Sequence, residues 1–81
     1  MSQQNAEKFI VKLYEDENFF EEFKALKTAK SRQKYASDSG FIFDRDNFSS
    51  VFDVTGDITF KADVVSGRLR LTESLSKFIF G

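Results

Sequence analysis

Residues 57–71 read DITFKADVVSGRLRL, and the fold class turns on them. Ile58, Phe60, Ala62 and Val64 alternate with Thr59, Lys61 and Asp63, a period of two that predicts a half-buried strand. Ser66-Gly67 is a turn signal, and Leu69 and Leu71 alternate with Arg68 and Arg70 beyond it. The stretch therefore reads as a β-hairpin, which would be marginal unless docked on something larger.

Everything before it repeats at helical spacing. Ser2 is a cap for a first helix whose Ala6, Phe9, Ile10, Leu13 and Tyr14 make one apolar stripe. Asp16 caps a second, with Glu17 at the positive end of its dipole and Phe19, Phe20, Phe23 and Leu26 on its inner face. Thr28 opens a third that ends at Gly40, and Phe41 folds back behind that cap. Asp44 begins a fourth, with Phe48, Val51 and Phe52 on one face and Gly56 closing it. Thr72 to Gly81 holds one or two amphipathic turns, capped by Thr72 and apolar at Leu75, Phe78 and Ile79. The expectation is a mainly α fold: a bundle of three to four short helices over residues 1–55, then a hairpin-prone or flexible tail over 56–81.

Composition narrows the function. The 81 residues include eleven Phe but no His, Cys, Trp or Pro. Neutral-pH catalysis and soft-metal sites draw on His and Cys, so the chain reads as a binding protein or a substrate, not an enzyme, with no cofactor and no metal. A chain this short buries only about 60% of its unfolded surface, which leaves little room for a substrate cleft. A net charge of −1 argues against nucleic acid or an anionic membrane as partner. The polar start MSQQNAEKF lacks the apolar core of a secretory signal, so a cytoplasmic location is expected.

Three motifs carry a bland and a sharper reading. Asp44, Asp46 and Asn47 faintly resemble a calcium loop without its Gly and distal Glu, and a helix cap explains them better. Lys24, Lys27, Lys30, Arg32 and Lys34 are flanked by acids with no aromatic among them, so a solvated helix face outweighs a phosphate site. Phe residues are more often core than ligand box, yet Phe9, Leu13, Phe19, Phe20 and Phe23 are also the anchors an amphipathic helix would present to a partner groove.

Ser2, Ala6, Phe9, Leu13, Asp16, Phe19 and Phe23, followed by Ala36, Gly40-Phe41, Phe43 and the Asp44-to-Phe48 helix start, resemble the nif-eleven-type leader peptide family over roughly residues 1–52. The resemblance implies a helical leader of a ribosomally made, post-translationally modified peptide, read by modifying enzymes and removed by a peptidase or a transporter-linked one. The C-terminal segment would be the cargo and its product exported. The family's link to nitrogen fixation gene neighbourhoods does not license a role in nitrogen reduction.

Processing is where the chain departs from that pattern. Many such leaders end in a double Gly or Gly-Ala, whereas this one offers Ser66-Gly67. Cleavage after Gly67 would release RLRLTESLSKFIFG, residues 68–81, in which Arg68, Arg70, Thr72, Ser74, Ser76 and Lys77 are the candidate modification points. Without Cys, thioether rings and thiazoles are excluded. The rival expectation treats Ser66-Gly67 as a true turn and the chain as an unprocessed protein-interaction module with a folded C-terminal hairpin.

Overall fold

The computed structural model describes residues 3–54 and 56–81. Six helices follow one another: α1 (Gln3–Glu15), α2 (Glu17–Lys24), α3 (Ala29–Asp38), α4 (Arg45–Val54), α5 (Gly56–Arg68) and α6 (Leu75–Phe80). The Ser2 cap lies outside the described residues.

The first four starts and stops follow their local chemistry. Asp16 accepts from the Phe19 amide at 3.0 Å. Thr28 and Ser31 cap α3 reciprocally, each side chain serving the other's backbone amide. Gly40, at φ +94°, ends α3. There the Gly40 amide donates to Ser37 and the Phe41 amide to Ala36, the paired bonds of a left-handed helix stop. Asp44 and Asn47 close a second reciprocal cap at the start of α4, so the capping reading describes this acidic turn.

The hairpin is the correction. Among the described residues there is no strand, and the helices number six where three to four were expected. Residues 57–71 carry a second periodicity: Ile58, Ala62, Val65 and Leu69 are spaced by four, three and four, and these are the residues that α5 and the position just after it turn toward the core. Ala62 and Val65 are fully buried. Gly56 opens α5 instead of closing α4, and the Thr59 hydroxyl donates to the Phe52 carbonyl across the junction. Ser66-Gly67 sits in the last turn of α5, and the chain reverses later, at Arg70, whose φ is +59°. The amides of Arg70 and Leu71 reach back to Gly67 and Ser66, repeating the Gly40-Phe41 stop with a non-glycine residue. Ser74, not Thr72, caps α6.

The tail is part of the core. Helices α2, α4 and α5 pack on α1, while α6 packs against α3, α4 and α5. Ala6, Phe9, Ile10 and Leu13 of α1 meet Phe19, Phe20, Phe23, Ala36, Phe48, Val51, Ala62, Val65, Leu75 and Ile79 in one apolar cluster. Phe9 lies at its centre, with the rings of Phe19, Phe23, Phe41 and Phe43 at 5.3–5.8 Å. Of the eleven Phe, only Phe60 is exposed, at 59%. It occupies the outer face of α5, where the helical register puts it.

Candidate functional site

The five sequence-nominated docking residues stand on the inner faces of α1 and α2. Phe9, Leu13 and Phe23 are fully buried, and Phe19 and Phe20 nearly so. They are brought together, but around the core and not on the surface. What the molecule presents outward is the opposite side of these helices.

There a groove of about 700 Å³ runs along α1. Val11, Phe41 and Ile58, all partly buried, give it an apolar floor. Glu7, Glu15, Asp16 and Glu17 line it against Lys8 and Lys12, so its rim is net acidic. A peptide segment with apolar side chains and basic flanks is the chemistry such a surface complements. Periodicity did not single out Val11, and it read Ile58 as part of a strand, whereas Ile58 both packs against the core and lines the groove.

Asp16 does double duty on that rim. Its carboxylate is held below the usual range, first by the Lys12 ammonium at 2.8 Å and then by the Phe19 amide it caps. A depressed folded-state pKa means that the cap's contribution is present above the ordinary Asp pKa, about 3.9, and is lost only as pH falls through the lower folded value. The Phe19 amide resonance should therefore hold steady down to about pH 4 and shift below it. A midpoint at or above the ordinary value contradicts this, and Asp16→Asn should abolish the transition.

Helices α2 and α3 are joined on the far side by the Tyr35 hydroxyl, which donates to Glu22 at 2.5 Å. Burial first, then the Glu22 carboxylate, push the Tyr35 phenol up to about 12. Tyr35 thus keeps its proton and remains a donor across the ordinary pH range.

The candidate processing residues are spread over the end of α5, the link and α6. Gly67 is helical and exposed. The Arg68 guanidinium lies 4.2 Å from the centre of the Phe20 ring and donates to the Tyr14 carbonyl at 3.3 Å. Arg70, Thr72 and Ser74 are exposed, Ser76 is partly buried, and Lys77 pairs with Glu73 at 3.2 Å.

Sequence reading missed Arg32 and Gln33. Lys24, Lys27, Lys30 and Lys34 are exposed as a solvated face requires, but Arg32 turns inward. Its guanidinium donates to the carbonyls of Phe78, at 2.8 Å, and Leu26, at 3.1 Å, and stacks 3.7 Å from the Phe78 ring centre. Gln33 donates to the Ile79 carbonyl at 3.2 Å. A single Arg among four Lys was the available signal, since a planar fork suits bidentate, stacked seats that an ammonium does not.

No described helix is long and apolar enough to cross a membrane. Searches of curated proteins and of solved structures return no match. The sequence model of one family, the Nif11 domain, matches residues 1–48, from α1 into the first turn of α4. That match spans more than half of the 81 residues and contains the capped starts of α2, α3 and α4 and the Gly40-Phe41 stop: the chain belongs to the Nif11 domain family, the leader-peptide family of ribosomally synthesised peptide precursors.

Proposed function

We propose that this chain is a precursor peptide whose helical leader is recognised by a modifying enzyme and whose C-terminal segment is the modified and cleaved cargo. The observation that carries the reading is the Nif11 match over residues 1–48, which leaves residues 49–81 outside the family's shared part. The leader docks through the acidic-rimmed groove on α1, taking an apolar, basic-flanked segment of the enzyme. Phe9, Leu13, Phe19, Phe20 and Phe23 serve recognition from inside by fixing α1 and α2 so that Val11, Phe41 and Ile58 form one floor. Docking raises the local concentration of the tail at the enzyme's active site. The leader itself does no chemistry and carries no cofactor. Cleavage after Gly67 by a peptidase, alone or linked to a transporter, frees residues 68–81, with Arg68, Arg70, Thr72, Ser74, Ser76 and Lys77 as modification points. Docking and modification take place in the cytoplasm, and the product is exported.

Mass spectrometry of small peptides from the producing organism tests this. Fragments of residues 57–81 bearing mass shifts or a new terminus at Arg68 are expected. An abundant chain that stays intact and unmodified overturns it. The second reading, an unprocessed interaction module, then takes over. It is favoured by one observation: Leu75 and Ile79 of α6 are fully buried, so the tail is a structural part of the fold. In that reading the folded C-terminal element is the α5–α6 pair and not a hairpin.

A further inference from the structure

Helix α6 does not stand on its own. It has six residues, far below the roughly 12–15 at which an isolated helix becomes even marginal in water. Its N-terminus has the Ser74 cap, and its C-terminus has carbonyls with no partner inside the helix. One of these, on Lys77, accepts from the Gly81 amide at 2.8 Å. The next two are taken by another helix: Phe78 by Arg32, and Ile79 by Gln33. The Arg32 charge also sits where the negative end of the α6 dipole favours a cation, and its plane covers the Phe78 ring. With its other nitrogen Arg32 holds the Leu26 carbonyl, beyond the end of α2. One guanidinium therefore ties together the turn after α2, the body of α3 and the end of α6.

From this we infer that the leader masks its own tail: Arg32 and Gln33 of α3 latch α6 shut, and residues 75–81 become an extended substrate only when that latch opens. The inference rests on the precursor reading for its biological sense. Enzymes that cut or modify a peptide backbone act on the locally opened chain, so their rate follows the open population. A partner that shifts α3 or draws the Leu26 turn away competes with the same guanidinium and releases α6 as unstructured peptide. Recognition of the leader and exposure of the tail would then be one event.

The test uses the full purified chain and a lysine-specific endoprotease, following the cut between Lys77 and Phe78 against the cut after Lys8 in α1. Losing a charge-assisted hydrogen bond from the latch corresponds to a factor of about 10–100 in opening. Arg32→Ala should raise the Lys77 cut by about that factor and the Lys8 cut by less. Arg32→Lys, which keeps the charge and loses the fork, should fall between parent and Ala. Equal Lys77 rates in the parent and the Arg32 variants overturn the latch. Should both cuts accelerate equally in Arg32→Ala, Gln33→Ala decides, because it removes only the Ile79 contact: a selective rise at Lys77 upholds the latch and no change overturns it. No modifying enzyme is involved. A masked tail with an unmodified product in the producer would thus sink the precursor reading alone, and an unmasked tail with a modified product would sink the latch alone.

Discussion

Phe9→Ala should remove a large part of the chain's folding stability. Phe9 is fully buried at the meeting point of α1, α2 and the 41–44 segment, and four rings lie within 5.8 Å of its own. Removing a buried Phe costs about 3–5 kcal/mol, from lost transfer energy and the cavity left behind. At roughly 0.05–0.15 kcal/mol per residue, a chain of 81 residues holds only about 4–12 kcal/mol in total. The melting temperature followed by circular dichroism should fall by about 12 °C or more, or the transition should vanish. A variant melting within a few degrees of the parent would place the centre of the core elsewhere. Loss of partner binding in this variant would report loss of fold, which is why groove substitutions at Val11 or Ile58 are the informative ones for docking.

Ending the chain at Gly67 should have an effect of similar size. The cut removes Leu75 and Ile79, both fully buried, with the partly buried Leu69, Leu71, Phe78 and Phe80. The first two alone contribute about 3–6 kcal/mol. It also uncovers Phe23, which meets the Phe78 ring at 5.8 Å, and Phe48, which meets Phe80 at 5.9 Å. The 1–67 fragment should keep helical far-ultraviolet signal, bind a dye that reports exposed apolar surface, and lose its sharp melt. A fragment as cooperative and as heat-resistant as the full chain would mean that α6 decorates the core without completing it. On the precursor reading, cleavage at this bond would leave a leader that cannot hold its fold.

The part of the fold that was legible in sequence is the part written in caps. Asp16, Thr28, Gly40 and Asp44 each have side-chain or backbone chemistry that stops or starts a helix whatever surrounds it. Residues 57–71 were not legible, because they satisfy two periods. Ile58, Phe60, Ala62 and Val64 fit a strand, Ile58, Ala62, Val65 and Leu69 fit a helix, and the β-branched Ile58, Thr59, Val64 and Val65 lean toward the strand. Tertiary packing decided it: a helix here lays Ala62 and Val65 on α1, and the cost is an exposed Phe60. The stop at Arg70 was hidden for a related reason, since an Arg in the left-handed region leaves no mark in sequence where Gly40 does. For the candidate site, the apolar anchors were read both as core and as docking residues, and the groove on the other side of α1 was not read at all. Spacing shows which residues share a face, and only the packing of α2, α4 and α5 on α1 shows which way that face looks.

The two α6 side chains seated in the core set a rule for exchanging tails. Leu75 and Ile79 lie four positions apart and leave no surface of their own uncovered, while Thr72, Glu73, Ser74 and Lys77 face water. A foreign peptide grafted in place of residues 72–81 inherits the scaffold only if it brings two apolar side chains at that spacing. Phe78, Phe80 and the Ser74 cap also touch the scaffold, so only the water-facing Thr72, Glu73 and Lys77 can be rewritten with little effect on it. Diversity in such grafts is confined to the solvent side of one short helix and the link before it.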